Sequence, residues 1–228
     1  MIRKLFLLLL PLLCLQPARA QDAATLVRQV KARLDKVHDY KAAATMDINV
    51  PFINAPKSAV LVFFRYPDKF SVQKPDGLSV LPKGGVRVNM AALLAGGNYS
   101  IVDAGNARIG NTNTRVIKLL PNSETDNVVL STLYIDAAAQ VIRKSTVVTR
   151  DGGVYEMQLE YGKYTAWGLP GKVTFLFDTK EFKLPKGVTF DYEKSGPKKA
   201  APKSGKGSVV LTYSNYTINK GVPDSVFK

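Results

Sequence analysis

The hydrophobic periodicity of this chain changes once, at Tyr40, and that change limits the fold more than any other feature. Before it, Ala23, Leu26, Val27, Val30, Leu34 and Val37 recur at three- and four-residue spacing, with Arg28, Lys31, Arg33 and Lys36 between them. This is the pattern of one amphipathic helix with an apolar stripe that must lie on something. After Tyr40, β-branched and aromatic runs follow a period of two and are punctuated by Gly, Pro, Asn and Asp, as strands and tight turns require. The runs place strands near 41–50, 57–66, 69–73, 99–104, 107–110, 113–120, 128–135, 140–149, 154–164, 171–178, 187–192 and 207–217, with a second short helix at Met90–Ala95.

Parallel crossovers need intervening helices that these spacings leave no room for, so the class is α+β, mostly β, with an antiparallel meander. Asp103-Ala104-Gly105-Asn106, Asp136-Ala137-Ala138-Ala139 and Asp151-Gly152-Gly153 are the expected hairpin breaks. A meander this long curls through its own twist. It either closes on itself or leaves an open side for a helix to cover.

The N-terminus reads as an export signal. Met1-Ile2-Arg3-Lys4 precedes the apolar run Leu5 to Leu15, and Ala18-Arg19-Ala20 offers a small-x-small cleavage site. The run is well short of the roughly 20 residues that span a bilayer as a helix. Residues 1–20 are thus expected to be removed, leaving one domain at 21–228. Cys14, the sole cysteine, falls inside the apolar run behind Leu13, a poor context for lipid attachment, and its loss with the signal removes disulfides, thiol nucleophiles and thiolate metal sites together.

Cleavage also removes Arg3, Lys4 and Arg19, which leaves 29 basic residues against 18 acidic ones, a net charge of +11. In an exported chain that excess faces lipopolysaccharide and phospholipid head groups, not nucleic acid, or serves solubility alone. The lysine-rich stretch 194–206 contains no acid and little to bury. It reads as a flexible loop, either a solvated insertion or an electrostatic tether.

No catalytic or metal constellation emerges. His38 is the single histidine, and a position at the end of the first helix suits interaction with the last helical carbonyls. Glu156 and Glu160 share a strand face and could form an acid/base pair, but their alternation with Tyr155, Met157, Leu159 and Tyr161 suits a polar outer face over an apolar inner one. The glycine-rich pieces at 83–85 and 96–97 match no phosphate-binding pattern. Neither cofactor nor metal is expected, and the chain is not expected to be an enzyme.

Three short stretches carry a resemblance. They are the opening Asp22-Ala23-Ala24-x-Leu26 with Leu34-Asp35-x-Val37 and Tyr40-x-Ala42, the strand end Phe64-Arg65-Tyr66-Pro67-Asp68-Lys69-Phe70, and the closing Tyr213-Ser214-Asn215-Tyr216 with Gly221-Val222-Pro223-Asp224-Ser225-Val226-Phe227. Together they resemble the periplasmic outer-membrane lipoprotein carrier (LolA-like) superfamily. The resemblance implies an unclosed, strongly curved antiparallel sheet, a half-barrel, covered by one or more helices. It also implies a monomeric periplasmic carrier that takes acyl chains of lipoproteins or another lipid into an apolar cavity and meets partner proteins at the inner and outer membranes.

On this chain the alternating Val60, Val62, Phe64 and Tyr66, with Phe70, would line that cavity, and Ala23, Val27, Val30, Leu34 and Val37 would form the lid. The family's carriers place an arginine directly before the shared proline, where it helps hold the lid closed. Here Tyr66 occupies that position and Arg65 stands one residue earlier. Alternation puts Arg65 on the opposite face unless a bulge intervenes, so the gating role lies open between the two. A second reading of the same fold is a sensor or interaction module that binds an envelope protein or lipid without transfer.

Overall fold

The computed structural model describes residues 22–50, 53–54, 56–76, 94, 97–123, 127–150, 153–178 and 205–227. The helix α1 (Ala23–Leu34) starts where Asp22 caps it: Asp22 Oδ2 accepts from Thr25 N at 3.2 Å, satisfying a backbone donor that the first turn leaves open. It stops as the last turn tightens, with Lys36 N donating to Arg33 O and Val37 N to Leu34 O. Val37 therefore lies past the helix end, not on its stripe. Ala23, Leu26, Val27 and Val30 are the residues α1 buries.

Among the described residues eleven strands follow: β1 (Asp39–Val50), β2 (Ile53–Asn54), β3 (Ser58–Arg65), β4 (Lys69–Gln73), β5 (Tyr99–Ile109), β6 (Thr112–Pro121), β7 (Val128–Asp136), β8 (Val141–Thr149), β9 (Val154–Tyr161), β10 (Pro170–Asp178) and β11 (Lys206–Ile218). They form one antiparallel sheet in the order β4-β3-β1-β11-β10-β9-β8-β7-β6-β5, with β2 beside β1. Among the described residues β4 and β5 do not pair, so the sheet is an open half-barrel. The meander β5 to β11 is joined to the N-terminal strands by the ladder between β11 and β1.

The end of that ladder is fastened by two side chains. Asn219, at φ 55°, accepts from His38 N through Oδ1 and donates to Lys36 O through Nδ2. Asp39 Oδ1 accepts from Lys220 N and Gly221 N. The exit of α1, the start of β1 and the end of β11 are thus tied at one corner. His38 is exposed there and contributes its backbone N–H, four residues beyond the helix.

One expected hairpin is a bulge instead. The runs 99–104 and 107–110 form the single strand β5, and Asp103-Ala104-Gly105-Asn106 is a register shift against β6. Gly105 takes φ +85° and its N–H donates to Asp103 Oδ1, whose carboxylate also binds Arg115 on β6. The reversal comes later, at Gly110-Asn111, where Gly110 has φ +56°. The Asp136 turn is a hairpin as expected, with Asp136 Oδ1 accepting from Ala139 N. Strand 9 ends at Tyr161, short of 164, and a 3-10 turn at Thr165–Trp167 follows. The candidate strand 187–192 and the loop 194–206 lie largely or wholly outside the described residues, as does the candidate helix 90–95 except for Leu94, which is helical and buried.

Two buried clusters form on the sheet. The first joins α1 to β6–β9 and contains Leu26, Val27 and Val30 with Leu94, Ile117, Leu119, Leu133, Ile135, Ile142, Met157 and Leu159. The second belongs to β1, β3, β4 and β11, with Val37 and Leu169 at its rim.

Candidate functional site

The two clusters share one face of the sheet, as register shows. Val173, packed against the first, is opposite Leu211, packed against the second, and Leu211 is opposite Met46. Directly opposed residues point the same way, so the apolar face runs without interruption from β6 to β4. It is the face on which α1 lies.

Between the clusters the cover thins. Ile48, Val209, Leu211, Tyr213, Val173 and Phe175 on β1, β11 and β10 pack against cluster residues yet keep partial exposure. They form a seam of apolar side chains across the middle of the sheet. Phe177 extends it: a Cβ on Gly207 would come within 2.6 Å of the Phe177 ring, so only glycine there leaves the ring its place. Among the described residues this seam is where the apolar face is only partly covered.

The helix that flanks the seam is held at its rim by polar bonds. Arg33 donates to Gln140 Oε1 at 2.8 Å and to Thr165 O at 3.2 Å, and Gln140 Nε2 donates to Gln29 Oε1 at 3.0 Å. Among the described residues these contacts act with the stripe of four buried side chains, Leu34 beside it and the Asn219 corner to keep α1 on the sheet.

The opposite flank is aromatic. Tyr216 stands edge-on to Tyr40 and Tyr164, with centroids 5.1 and 4.9 Å away, and stacks on Tyr213 at 5.0 Å. Tyr40 in turn meets Phe64 at 5.3 Å. The phenols are satisfied: Tyr216 donates to Pro170 O at 2.8 Å and Tyr164 to Asn215 Oδ1 at 2.6 Å. Desolvation pushes the phenols of Tyr40, Tyr213 and Tyr216 far up from their ordinary range. Of these, Tyr213 keeps partial exposure.

Each residue named from the sequence has a definite place. Val60, Val62 and Phe64 are buried in the second cluster and Phe70 is half-buried against it, opposite Phe64. Tyr66 lies beyond the end of β3 in the turn, 37% exposed. Ala23, Val27 and Val30 are buried in the first cluster and Leu34 packs beside them, whereas Val37 belongs to the second.

Arg65 faces away from the apolar side of the sheet. It follows Phe64 in the alternation, and its guanidinium donates to Val222 O and binds Asp224, with the Phe227 ring 5.3 Å away. Lys69 joins Asp224 at 3.0 Å, and Gln73 Nε2 donates to Val226 O at 2.7 Å. The arginine thus clamps the C-terminal 3-10 turn (Asp224–Phe227) to the outer face. The Arg65 and Lys69 bonds hold the Asp224 carboxyl down at about 2.

Glu156 and Glu160 are also outer-face residues. Glu156 pairs with Lys144 at 2.6 Å and Glu160 with Lys172 at 2.8 Å, so the polar-outside reading of that strand holds. Among the described residues no group of three His, Cys, Asp or Glu is arranged to hold a metal ion, and no helix is long and apolar enough to cross a membrane.

The seam itself was not singled out from the sequence. Its signal is present as the alternations Val173-Phe175-Phe177 and Val209-Leu211-Tyr213. Alternation gives two faces and does not say which one a helix will cover.

No protein-family model matches the chain, and no curated protein sequence does. Solved structures do. A LolA superfamily protein from Nitrosomonas europaea is 12% identical with a TM-score of 0.57, covering 90% of this chain and 97% of its own. A putative outer membrane lipoprotein-sorting protein domain from Vibrio parahaemolyticus is 14% identical with a TM-score of 0.53, covering 89% and 94%. The chain has the LolA-like fold.

Proposed function

We propose that this chain is a periplasmic carrier that shelters the acyl chains of a lipoprotein or a related lipid on its concave face and takes them toward the outer membrane. The observation that carries the proposal is the seam of partly exposed apolar side chains between two buried clusters, flanked by the separate helix α1. The first twenty residues would direct export and be cleaved, and inner- and outer-membrane proteins would be the donor and acceptor. No step of this work makes or breaks a covalent bond.

Energetics narrow the mechanism. Burying one CH₂ stabilises by about 0.8 kcal/mol, so full enclosure of a chain of ~16 carbons would gain on the order of 12 kcal/mol. A carrier that gained this much would not release its load. The net gain falls if the empty protein already buries its apolar surface, since cargo then replaces existing contacts. Leu26, Val27 and Val30 supply that internal competitor: they occupy the concave face until cargo displaces them.

Native mass spectrometry of the mature protein, purified from a bacterial periplasm, tests the reading. A phospholipid or acylated peptide bound to most molecules supports a carrier and names its cargo class. A protein that arrives empty and takes up no fluorescent fatty acid overturns it, and a protein-binding module of the same fold then becomes the better account.

A further inference from the structure

Six polar side chains are buried among the described residues: Ser71, Thr114, Ser131, Asp136, Ser145 and Thr149. Four have partners. Ser71 Oγ accepts from Gln73 Nε2, Thr114 donates to Ala107 O, Thr149 donates to Gly153 O, and Asp136 binds Arg143 and Ala139 N. Ser131 and Ser145 are 1% and 0% exposed, and neither Oγ has a hydrogen-bond partner among the described residues. A hydroxyl buried without a partner loses its water and gains nothing in return, a cost that alanine at the same site would avoid.

Register puts both serines on the cargo face. Ser131 lies between Leu119 on β6 and Val147 on β8, and Ser145 between Leu133 on β7 and Met157 on β9. Ser131 is thus the diagonal neighbour of Ser145 across the β7–β8 ladder, a separation of roughly 7 Å that an acceptor placed between the two hydroxyls can bridge. The row through Ser145 continues over Met157, Phe175 and Val209 to Ile48. From β8 to β1 it crosses four strand spacings, about 19 Å, the scale of an extended fatty-acyl chain. Its far half is the exposed seam.

We propose that Ser131 and Ser145 are the polar anchor of the cargo site, donating two hydrogen bonds to the neutral carbonyl of an acyl ester or amide whose chain lies along the row toward Ile48. Two hydroxyl donors match the two lone pairs of one carbonyl oxygen. No residue of the row is charged, so the carboxylate of an ionised fatty acid would be unpaired at the anchor, whereas an ester or amide carbonyl brings no charge to that point and leaves its head group on the side that α1 uncovers. Both hydroxyls are closed off in the empty protein, beside the side chains that α1 covers, so the anchor is reached when α1 yields. The inference rests on the carrier reading and goes further by naming the group that the carrier recognises.

The test compares two lysophospholipids with one head group and one sixteen-carbon chain, the first joined through an ester and the second through an ether that lacks the carbonyl. The wild-type protein is expected to bind the ester about tenfold more tightly. S131A/S145A is expected to lose that preference by weakening ester binding alone, and the ¹³C carbonyl resonance of labelled ester should shift on binding to the wild type and not to the variant. Its unfolding midpoint should equal or exceed that of the wild type, since no bond is removed from the empty protein. If the double variant does not fold, S131A and S145A singly carry the same comparison.

Equal affinity of the wild type for ester and ether, or a preference that survives in the variant, overturns the anchor and leaves the hydroxyls to a buried water. A lowered midpoint in the folded variants also overturns it, because it means the hydroxyls are already bonded without cargo. A wild type that binds neither lipid removes the carrier reading and the anchor with it.

Discussion

The two halves of the concave face are closed in different ways. The half made by β6–β9 is aliphatic and is covered by α1, an element that reaches it from outside the sheet. The half made by β1, β3, β4 and β11 buries Val60, Val62, Phe64 and Tyr216 without using the helix, through tyrosines rooted in the strands themselves. The cover of the first half is a separate element, held among the described residues by its buried stripe, the Arg33–Gln140–Gln29 bonds and the Asn219 corner. A cover that is part of the sheet cannot leave it, so under the carrier function proposed above the first half is the one that opens and the second the one that stays.

The largest effect should come from the fixed half. Phe64→Ala removes a buried ring in contact with Tyr40 and is expected to cost about 3–5 kcal/mol of global stability in urea unfolding. Leu26→Ala, 1% exposed in the movable half, should cost about 2–5 kcal/mol of side-chain burial by the same cavity argument. Its loss should appear differently: amide exchange should quicken across α1 while the β1, β3 and β11 ladders keep their protection. Equal acceleration in helix and strands would show that the two halves open as one unit, and the contrast drawn here would fail.

Tyr216→Phe gives a smaller and sharper probe. It keeps the ring contacts with Tyr40, Tyr164 and Tyr213 and leaves Pro170 O without its donor, for an expected loss of about 1–3 kcal/mol. Thermal unfolding of this variant beside Phe64→Ala separates the hydrogen bond from the packing. If Tyr216→Phe is neutral, ring packing alone holds the fixed half.

This asymmetry was only partly legible in the sequence. The break in period at Tyr40 located α1, and the alternating runs located most strands, because local periodicity is a property of single elements. Gly105 misled the reading of β5: a glycine between two alternating runs marks a bulge as readily as a turn, and only the partner strand decides. Val37 fits the helical spacing but falls beyond a last turn that ends by hydrogen bonding, which spacing does not encode. The pairing of β1 with β11, which unites the tyrosines, joins residues 159 to 178 positions apart. The serines are the extreme case: in sequence they are ordinary strand serines, and only the packed sheet shows that they lack partners.

The smallest effect should come from the outer face, where Arg65 is engaged. The Asp224 carboxyl, bonded by Arg65 and Lys69, lies near 2 against an ordinary 3.8. A depressed carboxylate contributes its stabilisation above the ordinary value and loses it as pH falls through the folded one. The clamp should therefore be intact above pH 4 and release the tail between about pH 4 and 2, a range that ring resonances of Phe227 can follow by NMR. Asp224 is well exposed, so solvent screens the pair and global stability should barely move. Asp224→Asn should free the same resonances at neutral pH and leave lipid binding unchanged, since the tail and the seam lie on opposite faces of the sheet. Weaker lipid binding in that variant would couple the outer clamp to the cargo face and give Arg65 an influence on the lid from the far side of the sheet. A Phe227 transition near pH 4 would mean that the clamp does not form in solution.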